Sequence, residues 1–147
     1  MSYYFILEKF FRLKRALSLR AVHELKELEI GTKQASILYC IHKLGPISSA
    51  KLAEHTLSDP AAITRSVDLL AESGMVEKKD SSKDRRAWEL HLSIKGEKMA
   101  REIGHRQEAF ATEVFSKLSA KNRTAFSDQL DNVINILEAK PQIEKEK

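Results

Sequence analysis

The sequence predicts a mainly α-helical fold with one small β-hairpin. Three observations carry this. Apolar residues recur at spacings of three and four through most of the chain, the period of a helix buried on one side. Glycine, proline and small hydroxyl residues punctuate those stripes, as helix caps and stops do. Only residues 75–79 and 86–92 break that rhythm and alternate instead, as paired strands do.

Taken in order, Phe10, Leu13, Leu17, Ala21, Leu25 and Leu28 form the first helical stripe, with Gly31 as its stop. Thr32 caps a second helix through Ile37, Leu38 and Ile41, and Gly45-Pro46 ends it. Ser48 caps a short third helix that buries Leu52 and Ala53. After a brief turn, Ser58 or Asp59 caps a fourth helix. Its first turn holds Pro60, where the missing N–H costs nothing. Ile63, Val67 and Leu70 are its buried stripe, and Gly74 closes it. Two short helices joined by a few residues fit a helix-turn-helix.

In the hairpin, Trp88, Leu90 and Leu92 share one face, and Trp88 is expected to anchor the base. The polar DSSKDR makes the turn. Ser93 then caps a long helix over 94–117. Ser119 caps a last one, in which Phe126, Leu130, Val133 and Leu137 follow a heptad-like spacing. The stripes of the first and last helices have no obvious partner within so small a unit. Burying both against a second copy gives a two-fold dimer, with Phe10, Leu130, Val133 and Leu137 at the interface. The 147 residues suit one domain. A winged helix-turn-helix occupies roughly 33–93, and dimerisation helices flank it over 3–30 and 94–138.

A capped helix followed at once by a basic-tipped hairpin is what duplex DNA recognition needs. A helix fills the major groove, and a β-ribbon with arginine at its tip reaches the adjacent minor groove. The polar side of the fourth helix, opposite Ile63 and Val67, carries Ser58, Ala61, Ala62, Thr64, Arg65 and Asp68. Arg65 suits a guanine or a phosphate; the plainer alternative is an exposed arginine paired with Asp68 or Asp59. Ser48 completes the DNA-facing set on the helix side. On the hairpin, Lys78, Lys79, Lys83, Arg85 and Arg86 supply the positive charge, with Lys79, Lys83, Arg85 and Arg86 assigned to DNA contact, and Asp84 is placed to orient Arg86. The plainer alternative there is a solvated charge run.

Other classes find little support. The net charge of +4 permits nucleic-acid binding without demonstrating it, so the position of the charge carries the argument. No G-x-S-x-G, phosphate loop or H-E-x-x-H is present, and five glycines leave little for a cofactor loop. No catalytic residue and no cofactor are expected. Of the five histidines only His105, with Glu102 or Glu108, and His23, loosely with Glu24 or Glu27, come near the one-turn pairing of helix-borne metal sites, and the position a turn after His105 is Ala109, so no metal is expected. The single cysteine, Cys40, excludes an internal disulfide and reads as inert filler. No run approaches the ~18 apolar residues of a membrane span. Glu8 and Lys9 interrupt the apolar N-terminal run and no cleavage site follows, so a targeting peptide is not expected. Together these readings place the protein in the cytoplasm.

Over residues 7–137 the chain resembles the MarR family of bacterial transcriptional regulators. The resemblance is carried by T-K-Q-A-S-I-L at 32–38, I-S-S-A-K-L-A-E at 47–54 and I-T-R-S-V-D-L-L-A-E-S-G-M-V at 63–76. D-R-R-A at 84–87 and L-S-I-K-G at 92–96 complete it. Asp84 and Arg86 fit the family's Asp-x-Arg wing signature, and Ser93 stands where the family usually has Thr. The resemblance implies an obligate homodimer, a recognition helix in each major groove, and wings in the flanking minor grooves. It also implies, for many members, a small-molecule effector. The family's pocket lies between the first two helices and the long helix after the wing, which here draws on Leu17, Tyr39 and Ile103. The resulting expectation is a sequence-specific, ligand-responsive repressor on a palindromic operator. Two alternatives stay open: a winged-helix protein-interaction module, and a nucleoid-type DNA-binding protein of low specificity, for which the small Ala61 and Ala62 speak.

Overall fold

The computed structural model describes residues 2–81, 83 and 88–139. Its elements are α1 (Tyr4–Leu25), a 3-10 turn (Lys26–Leu28), α2 (Thr32–Leu44), α3 (Ser49–His55) and α4 (Pro60–Glu72). They continue with β1 (Val76–Asp80), β2 (Trp88–Leu92), α5 (Ile94–Phe115) and α6 (Ala120–Glu138). This is the mainly helical class with one antiparallel hairpin that the sequence predicts. The chain divides into two compact units, Met1–Arg106 and Gln107–Lys147, and α5 contributes residues to both.

The core lies in the first unit. Ile37, Leu38 and Ile41 of α2 meet Leu52 of α3 and the Ile63, Val67, Leu70 stripe of α4. Val76, Leu90, Ala100 and Ile103 complete it from the hairpin and α5. Burying each large aliphatic side chain contributes about 1.5–3 kcal/mol, so the three-four spacing fixes which face of α4 turns inward. The opposite face is left for solvent or a partner.

The link between α1 and α2 departs from the sequence reading. α1 stops at Leu25, and Glu29, not Gly31, takes the left-handed conformation (φ 52°). Gly31 is extended and serves as the N-cap of α2, while Thr32 is the first helical residue. Having no side chain, Gly31 caps nothing itself; its N–H donates to Gln34 Oε1 at 3.2 Å. The physical reason lies in packing. Leu28 and Ile30 both pack on the core, and a continuous helix would turn residues two apart to different sides.

The hairpin runs in the register Val76↔Leu92 to Asp80↔Trp88. Ile47 adds a bridge to it: Leu90 N donates to Ile47 O at 2.9 Å and Ile47 N to Leu90 O at 3.4 Å. That bridge ties the hairpin to the residue before Ser48. Trp88 does not anchor the base, contrary to expectation, for it is 60% exposed. Its face is the one Leu90 buries, but Trp88 stands at the far end of the strand, beyond the edge of the core.

In the second unit, Ser119 caps α6 as its sequence position suggests, its hydroxyl accepting the Asn122 N–H at 3.3 Å. Arg123 donates to the carbonyls of Phe115 and Leu118, and the rings of Phe115 and Phe126 stand 6.3 Å apart. No residue of α6 is buried in the single chain.

Candidate nucleic-acid interface

α3 and α4 are held by their caps and by the turn between them. The Ser48 hydroxyl accepts the Lys51 N–H at 3.2 Å and opens α3. Leu57, in the turn, has a positive φ (46°) and is almost wholly exposed, a costly conformation for a branched residue. At the start of α4 the choice left open between Ser58 and Asp59 falls to Asp59, whose carboxylate accepts the Ala62 N–H at 3.1 Å. Ser58 instead donates its hydroxyl to Thr56 O at 3.2 Å. The carboxylate also lies at the positive end of the helix dipole, which favours it there.

The outward face of α4 presents Ala61, Thr64, Arg65 and Asp68, all exposed, with Ala62 half-buried beside them. The Thr64 hydroxyl donates to Pro60 O at 3.0 Å, so its donor is spent within the helix. Arg65 makes no ion pair among the described residues. Neither acid offered to it by the sequence pairs with it: Asp59 accepts from the Ala62 N–H, and Asp68 accepts from Lys78 Nζ at 2.6 Å.

On the hairpin, Lys79 pairs with Glu77 at 2.9 Å. Lys83 is exposed, and its backbone N–H donates to Ser81 Oγ at 3.2 Å. Ser81 is itself buried and donates to Glu89 Oε1 at 2.9 Å, closing the root of the turn. Asp84, Arg85 and Arg86 lie outside the described residues. Lys78, part of the hairpin's basic run but not assigned to DNA contact by the sequence, reaches α4 through Asp68, and Trp88 stands on the same face of the hairpin. Together with Ser48, Ser49, Ala50 and Leu90 they line a cleft of about 400 Å³ between the start of α3 and the hairpin. Strand alternation does place Lys78 and Trp88 on one face. What alternation does not reveal is that α3 and α4 border that face.

The residues assigned to an effector pocket fall in different surroundings. Ile103 is sealed in the core, Tyr39 is half-buried against Gly104, and Leu17 is exposed on α1. An open cavity of about 580 Å³ lies elsewhere, over Leu28 and Met99, with Lys95, Lys98, Arg101, Glu102 and His105 around it. Of the residues assigned to a dimer interface, Phe10 and Leu130 are half-buried, and Val133 and Leu137 are exposed.

A polar contact joins α2 to α5. His42 Nδ1 lies 3.1 Å from Glu97 Oε2, and Arg101 Nε donates to Glu97 Oε1 at 2.9 Å. The carboxylate calls for the histidine tautomer with its proton on Nδ1. The hydrogen bond from His42, and after it that from Arg101, holds the Glu97 carboxyl below the usual carboxylate range. Burial raises the Cys40 thiol above its usual value, which disfavours the reactive thiolate. Among the described residues no three His, Cys, Asp or Glu side chains are grouped to hold a metal, and no helix is long and apolar enough to cross a membrane.

Comparison with known proteins bears on this surface. The model of the MarR family matches residues 32–88, from the start of α2 to the first residue of β2. The chain is 25% identical over 113 residues to the uncharacterized HTH-type transcriptional regulator YwoH of Bacillus subtilis, covering 77% of this chain and 82% of YwoH. Its fold is similar to a MarR transcriptional regulator from Methanosarcina mazei, with a TM-score of 0.80 at 21% identity over 92% of this chain and 99% of that one. It is likewise similar to Streptococcus pneumoniae FabT, solved in complex with DNA, with a TM-score of 0.79 at 20% identity over 93% and 98%. The matched residues 32–88 are those of α2, α3, α4 and the first part of the hairpin, and in this stretch the chain is similar to the MarR family.

Proposed function

We propose that this protein regulates transcription in the cytoplasm as a homodimeric repressor. It binds a palindromic operator, with α4 of each copy in a major groove. The observation that carries the reading is Arg65. It stands exposed on the outward face of a helix whose other face is locked into the core, and no carboxylate of the described residues claims it. An arginine so presented makes bidentate contacts with guanine or binds phosphate. The wing, with Lys79, Lys83 and the Asp84, Arg85, Arg86 signature, is assigned to the flanking minor groove. The likeness in fold to FabT, which was solved in complex with DNA, supports a DNA-binding role. A small-molecule effector releases the operator, and it acts only through unequal affinity for the DNA-competent and incompetent states.

The test is selection of bound sequences from random duplex DNA. A two-fold symmetric sequence is expected, its half-sites about one helical turn apart or a multiple of it. On that sequence Arg65→Ala costs about 1–3 kcal/mol and relaxes the choice of base at one position of each half-site. Uniform weak binding with no enriched sequence would move the protein to the nucleoid class. No binding to any duplex would leave the protein-interaction module.

A further inference from the structure

We propose that Lys78 is a positioning residue for DNA recognition: by binding Asp68 it leaves Arg65 unclaimed and cancels the carboxylate's charge on the outward face of α4. The inference rests on the DNA-binding reading above and deepens it.

α4 is poorly charged for its task. Within Pro60–Glu72, Arg65 is the only cation, set against Asp68 and Glu72. Arg65 and Asp68 are one helical turn apart, the spacing at which side chains of opposite charge pair along a helix. A helix on its own would therefore tend to pair them and present a neutralised arginine to the groove. The structure has the other arrangement. Asp68 Oδ1 accepts from Lys78 Nζ at 2.6 Å, and Arg65 has no ion pair among the described residues.

The lysine is placed for this by the sheet. Lys78 sits at the middle of β1 opposite Leu90, and Leu90 is buried and bridged also to Ile47. The backbone at Lys78 is thus fixed by the best-anchored part of the hairpin. Strand alternation sends Lys79 to the other face, where it pairs with Glu77 instead. The wing so supplies the cation that the recognition helix lacks. Without it, Asp68 is free to claim Arg65 and adds an uncompensated negative charge close to the phosphates.

The experiment measures the affinity of the full chain, by fluorescence anisotropy, for the sequence that the unmodified protein selects. Lys78→Ala is expected to weaken binding about fivefold to tenfold, the scale of one carboxylate a few ångströms from a phosphate. Lys78→Gln, which keeps most of the stem, behaves alike. Adding Asp68→Asn to either variant restores affinity to within about twofold. The signature is conditional: Arg65→Ala costs much less in the Lys78→Ala background than in the unmodified protein, because Asp68 has already claimed the arginine. Two results overturn the inference while DNA binding stands. One is a Lys78→Ala loss that Asp68→Asn does not relieve, accompanied by a shallower salt dependence, which makes Lys78 a direct phosphate contact. The other is an Asp68→Asn loss as large as that of Lys78→Ala, which makes the pair a strut between hairpin and helix. If the unmodified chain binds no duplex, the DNA-binding reading fails and this inference falls with it.

Discussion

Glu97 is where single-residue chemistry links two helices. Its carboxylate takes hydrogen bonds from His42 of α2 and Arg101 of α5, and both hold its carboxyl below the unfolded value. A depressed carboxyl stabilises the fold above its unfolded pKa and loses that contribution as pH falls through the folded one. Glu97→Gln therefore lowers the urea midpoint at pH 7, and the gap to the unmodified protein closes in acid, below about pH 4. The side chain is 36% exposed, so the gap is at most about 1 kcal/mol. Urea titrations of both proteins across this range measure it, and a gap unchanged at low pH refutes the account. Nothing in the sequence announces this contact, since His42 and Glu97 are far apart in the chain. The caps Ser48 and Ser119, by contrast, were legible, because a cap is decided within four residues. Gly31 misled for the same local reason: a glycine after an apolar stripe reads as a stop, and only the packing of Leu28 and Ile30 shows that the chain had already turned.

Between elements, α5 comes close to the segment that links α4 to β1. A Cβ on Gly96 would fall 1.9 Å from the Met75 carbonyl oxygen, which no side-chain rotation relieves. Around it, Ser93 Oγ donates to Gly74 O at 2.6 Å and accepts the Gly96 N–H at 3.0 Å, while Lys95 Nζ donates to Ser73 O at 2.8 Å. The exit of α4 and the entry of α5 are thereby stitched into one joint. Gly96→Ala is expected to cost about 1–3 kcal/mol, since backbone must yield; thermal unfolding followed by circular dichroism decides it, and an unchanged midpoint rejects the close approach. At this scale the sequence was informative about which elements exist, because periods of 3.6 and 2 are written in the apolar residues of α4 and β2 themselves. Their mutual arrangement was not. Period and turn signals omit the Ile47 bridge, and they placed Trp88 as an anchor because alternation assigns a face without saying where the core ends.

At the scale of the molecule, the first and last helices leave large apolar side chains uncovered. Phe11, Leu19 and Val22 on α1, and Ile136 and Leu137 on α6, are all exposed in the single chain. Monomers rarely keep contiguous apolar patches beyond a few hundred Å² in water. A homodimer covering these helices is accordingly expected. Sedimentation velocity of a Leu130→Asp, Leu137→Asp variant should show monomer or unfolded chain. An unmodified protein that sediments as a monomer at micromolar concentration rejects the dimer. The sequence leads to the same expectation, through stripes without a counterpart in so small a unit.

The displaced Trp88 has an optical consequence. It is the chain's single tryptophan, so the indole emission of the whole protein comes from the end of one strand of the wing. At 60% exposure that indole is hydrated, and its emission is long in wavelength and open to a soluble quencher such as iodide. Whatever covers the wing changes colour and quenching together, and whatever binds away from it leaves both alone. The protein therefore carries, without any label, a reporter that tells a ligand of the hairpin from a ligand of the rest.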